Sequence, residues 1–74
     1  MVYTYRENEA GKQAFANDVL TMLARQAGYD GCIYSVDENG EEWLTCPSEN
    51  GGNLKICVSA DSCIAMAKDL LARL

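Results

Sequence analysis

The chain has 74 residues, 49 % hydrophobic and 23 % charged, with four Cys, one Pro and no His, and six Lys/Arg against eleven Asp/Glu leave a net charge of −5. That length suits one small domain, residues 1–74, and the apolar content is too high for a disordered tail. No apolar run approaches the roughly 18 residues of a membrane span, and the acidic balance argues against direct binding of nucleic acid, which needs clustered Lys and Arg.

Residues 2–6 are β-prone and set Tyr3 and Tyr5 on one face, as an edge strand or an ordered arm. A helix is predicted from Asn8 or Glu9 to Ala27, with Phe15, Val19, Met22, Leu23 and Ala27 as its buried stripe and Ala10, Ala14, Ala16, Leu20 and Ala24 raising propensity or widening it. Asn8 is the expected N-cap, and Gly28 sits where a helix stops.

Three strands follow, over residues 31–37, 41–46 and 54–59. Asn39-Gly40 predicts a two-residue hairpin turn, which pairs Glu38 with Glu41, Asp37 with Glu42 and Val36 with Trp43. In that register Cys32, Tyr34, Val36, Trp43, Thr45, Leu54, Ile56 and Val58 form the core face. Ile33, Ser35, Asp37, Glu42, Leu44, Cys46, Lys55, Cys57 and Ser59 form the other. A last helix is predicted over residues 60–74, capped by Ser59, with Cys63, Ile64, Ala67, Leu70, Leu71 and Leu74 buried.

The order (β)-α-β-β-β-α implies an α+β domain: a three-stranded antiparallel sheet, a fourth N-terminal edge strand if residues 2–6 pair, and both helices on one face. It resembles the double-stranded-RNA-binding domain in topology only. The stretch Ser59-Ala60-Asp61-Ser62-Cys63 lacks the basic start that such a domain needs on its last helix.

The absence of His removes the commonest general base and metal ligand. Cys32, Cys46, Cys57 and Cys63 include no closely spaced pair, so neither a metal nor a cofactor is expected. Cys32 and Cys63 read as small buried hydrophobes. Cys46 and Cys57 fall on one face of adjacent strands, bridged or free. The first thirty residues contain no secretory signal, which makes a cytoplasmic chain with reduced thiols the expectation.

Residues 26–54 carry six acids (Asp30, Asp37, Glu38, Glu41, Glu42 and Glu49) and no Lys or Arg. Pairing like charges across a hairpin is unfavourable, so the tip either splays in water or meets a basic partner. Tyr34 and Trp43 read as core, whereas Tyr3, Tyr5, Ile33 and Leu44 read as an association surface.

These features point to a non-enzymatic, acidic protein-binding module. Its interface would be Asp37, Glu38, Glu41, Glu42, Glu49, Ile33, Leu44, Tyr3 and Tyr5, and its target a basic, nucleic-acid-binding surface of a partner protein. Small size, one acidic domain and no catalytic set are similar to many anti-CRISPR proteins of phages and mobile elements, in composition and without a shared motif. The alternative is a structural domain that self-associates, as a homodimer for example, through its open sheet face and N-terminal arm.

Overall fold

The computed structural model describes residues 5–49 and 51–74. Along them run α1 (Glu9–Phe15), a π-helical turn (Ala16–Leu20), α2 (Thr21–Gln26), β1 (Ile33–Val36), β2 (Glu42–Cys46), β3 (Leu54–Cys57) and α3 (Cys63–Arg73). The strands form one antiparallel sheet in the order β1-β2-β3. The α+β architecture matches the sequence expectation. The predicted N-terminal strand falls mostly on residues 1–4, outside the described residues, and Tyr5 and Arg6 belong to neither helix nor strand. No helix among the described residues is long and apolar enough to cross a membrane.

The first helical stretch begins as its sequence predicts, with Asn8 Oδ1 accepting the Gly11 amide at 2.8 Å. It ends in paired bonds from Gly28 N to Arg25 O and from Tyr29 N to Ala24 O, with Gly28 at φ +99°. That backbone angle is one a side chain disfavours, and the bonds satisfy two otherwise orphaned carbonyls. Of the expected stripe Phe15 is buried and Val19 and Leu23 pack against the core, while Met22 and Ala27 do not. Lys12, Phe15, Ala16, Leu20 and Ala24 point inward, while Met22 is 64 % exposed and Ala27 is exposed. Small Ala16 and Ala24 let the helix lie close to the sheet, and this turns the larger Met22 outward.

The hairpin corrects the predicted register by one residue. Asp37 N donates to Glu41 O at 2.9 Å and Gly40 N to Asp37 O at 3.1 Å, with Gly40 at φ +81°. The connection is therefore a three-residue loop whose left-handed position is Gly40, not a two-residue turn. Asp37 Oδ1 drives this choice by accepting the amides of Asn39 and Glu41, both at 2.9 Å. Val36 consequently pairs with Glu42, Ser35 with Trp43 and Tyr34 with Leu44.

A one-residue slip exchanges the two faces of a strand. Leu44 and Cys46 are 0 % exposed in the core, and Trp43 and Thr45 lie on the open face. The placement of Leu44 on the open face and of Trp43 in the core is thus reversed. β1 and β3 keep their predicted faces: Cys32, Tyr34, Ile56 and Val58 are buried. Val36 shares their side of β1 but lies at its exposed end.

α3 starts later than predicted. Asp61 N donates to Val58 O at 3.0 Å, and Ala60 adopts φ +66°, so the chain makes a turn before the helix. Ser62, not Ser59, is the N-cap, and its hydroxyl accepts from Ala65 N. Cys63, Met66 and Leu70 are its buried residues, while Ile64, Leu71 and Leu74 are exposed. Glu7 adds a second cap, its carboxylate accepting Cys63 N at 2.8 Å. The chain can cross there because residue 11 is Gly: a Cβ at that position would lie 1.9 Å from Arg6 O.

Candidate functional site

The structure disperses the acidic stretch over three places. Asp30 and Glu49 border a polar cleft with Arg25, Gly28, Tyr29 and Ser48, at the end of the sheet joined by the Asp30 N to Pro47 O bond. Asp37, Glu38 and Glu41 are exposed at the β1–β2 turn, at the other end. Glu42 is turned inside.

Glu42 is the hub of a polar network between the first helix, the sheet and the turn before α3. Its Oε1 accepts from Lys12 Nζ at 2.7 Å and from the Tyr34 hydroxyl, and its Oε2 accepts from Ala60 N at 2.9 Å. The side chains of Lys12 and Glu42 are 10 % and 17 % exposed. Hydrogen bonds from Lys12 and Tyr34 hold the Glu42 carboxyl down at about 2, while burial and the same carboxylate push Tyr34 upward. A carboxylate so committed is no base poised near neutral pH, and its salt bridge withdraws Glu42 from the predicted interface. Lys12 was missed because a lone Lys in a helix normally faces water; its i, i+4, i+8 relation to Ala16 and Leu20 was the available signal.

Asp61 lies beside this network. Burial and a hydrogen bond with Asp69, the larger effect, push its carboxyl up to about 6, and its Oδ2 is buried without a partner.

The thiols divide by face. Cys32, Cys46 and Cys63 are buried, Cys57 is exposed and all four are free. Cys46 and Cys57 lie on opposite faces of the sheet, so the diagonal pairing considered from sequence is not formed. Burial raises Cys32 to about 12 and Cys63 to about 11, which makes these thiols poor nucleophiles. Among the described residues no group of three or more His, Cys, Asp or Glu is placed to hold a metal ion.

The sheet face opposite the core is open. No helix among the described residues covers it, since the core residues of all helical segments meet the opposite side. Ile33 is 54 % exposed on it, as predicted, and Ser35, Lys55 and Cys57 are exposed beside it. Trp43 lies half-buried on the central strand, its indole N–H donating to Asp37 Oδ2 at 3.0 Å. That bond is the largest effect holding the Asp37 carboxyl below its usual range. Lys55 Nζ sits 4.7 Å from the Trp43 ring centroid, in cation–π contact. At the turn end Glu41 Oε2 accepts from Ser59 Oγ at 3.2 Å and from Cys57 Sγ at 3.5 Å. A central aromatic is thus bordered at one end by three acids.

No family model, no curated protein and no solved structure matches the chain. Its functional reading rests on these surfaces.

Of the other predicted interface residues, Tyr3 lies outside the described residues. Tyr5 is half-buried, its ring edge-on to Phe15 at 5.2 Å and its hydroxyl donating to Asp18 Oδ2. It lines an apolar groove of about 440 Å³ with Phe15, Val19 and Ile64, away from the open sheet face.

Proposed function

We propose that this chain is a non-enzymatic protein-binding module that covers a basic surface of a partner, one that otherwise engages nucleic acid. In this reading it acts as an inhibitor in the cytoplasm, as anti-CRISPR-like proteins do. The observation that carries it is Trp43, held half-exposed at the centre of an uncovered sheet face beside Asp37, Glu38 and Glu41. A rigid aromatic anchor within a polar rim is the usual form of an interface centre. The neighbouring acids supply attraction and orientation toward Lys and Arg. The Lys12–Glu42 network supports the reading from within, since its carboxylate is committed to holding the fold.

The test compares the wild type with Glu38→Lys/Glu41→Lys and with Trp43→Ala as immobilised baits for host lysate. Glu42 is kept, because reversing it would break the fold and mimic a binding defect. The expected result is a protein retained by the wild type at low salt, released as salt rises and lost from both variants. Equal retention by all three baits contradicts the reading.

A further inference from the structure

We infer that the free edge of β3 pairs with a second copy of this chain, joining two sheets into one of six strands. The backbone determines which groups are available. Val58 N donates to Glu42 O at 2.9 Å, so by alternation Ile56 and Leu54 also turn their N–H and C=O groups toward β2. Lys55 and Cys57 turn theirs the opposite way, and no backbone partner meets them among the described residues. The β1 edge differs, because its outward Cys32 N–H is taken by Thr21 Oγ1 at 3.1 Å. One edge is covered at its start by the helix and the other is bare.

An exposed Lys on an edge strand commonly repels further strands. Here Lys55 is drawn inward over its own Trp43 ring, which leaves the edge backbone clear. A two-fold axis through Ile56 sets Lys55 of each copy opposite Cys57 of the other, and both outward pairs can exchange N–H···O bonds.

Charge identifies a second copy as the occupant. Along this edge runs a groove of about 360 Å³ between Ile56 and Cys57 on one side and Asp69, Ala72 and Arg73 of α3 on the other. Asp69 and Arg73 are exposed, opposite in sign and four residues apart. The same two-fold reverses α3, so Asp69 of each copy approaches Arg73 of the other. On the open face each Lys55 stays over its own Trp43 ring, opposite the partner's Cys57. One operation therefore satisfies the strand edge and brings Asp69 and Arg73 of the two copies together. The contact belongs to the small class of interfaces, so the dimer dissociates on dilution. It is distinct from the open-face and N-terminal-arm association expected from sequence.

Sedimentation of the wild type over a dilution series at low salt tests this, together with concentration-dependent amide exchange by NMR. The expected result is a species of twice the 8.1 kDa chain mass at high concentration, with the Lys55 and Cys57 amides protected only in that species. Arg73→Glu should weaken association roughly tenfold. Cys57→Pro, which removes an outward N–H and no backbone bond of the sheet, should abolish it. Should Cys57→Pro fail to fold, amide exchange in the wild type decides the matter. A monomer at about 1 mM, or a dimer in which both amides exchange freely, overturns the inference. So does a dimer abolished by Ile33→Asp and untouched by Arg73→Glu.

Discussion

Lys12 Nζ lies 2.7 Å from Glu42 Oε1, and this one ion pair ties the first helix to the central strand. Two desolvated charges give little net stability when paired, yet removing either leaves the other buried and unpaired. Lys12→Met is expected to destabilise the fold by roughly 3 kcal/mol, against a total of about 3–5 kcal/mol for a domain of this size. The double variant Lys12→Met/Glu42→Leu should recover most of that loss. Urea unfolding of the wild type, both single variants and the double variant measures the coupling.

Stability should peak near pH 4, between the two unfolded-state values. The folded-state pKa of Glu42 is depressed to about 2 from 4.5, so its contribution is complete above pH 4.5 and is lost as pH falls toward 2. That of Asp61 is raised to about 6 from 3.8, so stability falls as pH rises from 3.8 through 6. Thermal melts from pH 2 to 8 should show both limbs. Asp61→Asn should flatten the upper limb and leave the acid limb in place; an unchanged upper limb would assign it to another group.

Ala60 holds φ +66°, a conformation that costs an L-residue about 1–2 kcal/mol. It is kept because its N–H donates to Glu42 Oε2. Ala60→Gly removes the strain at some cost in unfolded-state entropy, and a net stabilisation of about 0.5 kcal/mol is expected. Gly40→Ala, at φ +81°, should destabilise by about 1 kcal/mol and loosen the turn. Paired chemical denaturation curves check both signs.

From Asn8 onward the order of helix, three strands and helix was legible in the sequence; the π-helical turn within the first helix and the register were not. Asn39-Gly40 is the pattern of a two-residue turn, but Asp37 two residues earlier can cap a three-residue loop with its carboxylate, and Gly40 alone then needs positive φ. Two signs of the true register were present: the two-residue version sets Asp37 against Glu42 and leaves Leu44 outside the core. The site followed the register. Glu38, Glu41 and Ile33 stayed at the surface, Leu44 left it and Trp43 joined it. The inward position of Lys12 depends on a partner 30 residues away, beyond the reach of local periodicity.

Trp43 reports on its own face, since it is the only Trp in the chain. Lys55→Ala should cost about 0.5–1 kcal/mol through the lost cation–π contact and increase quenching of the indole by iodide. Asp37→Asn, which weakens both the turn cap and the indole bond, should shift Trp43 emission in the folded state. Emission unaltered by either change would place Trp43 elsewhere.

Competition between this protein and nucleic acid for the captured partner tests the functional account most directly. With the partner purified, wild-type protein should displace a bound oligonucleotide in a dose-dependent manner. Glu38→Lys/Glu41→Lys, folded by circular dichroism, should fail to do so at the same concentrations. Simultaneous binding of protein and oligonucleotide to the partner, or equal displacement by the reversed variant, would contradict it.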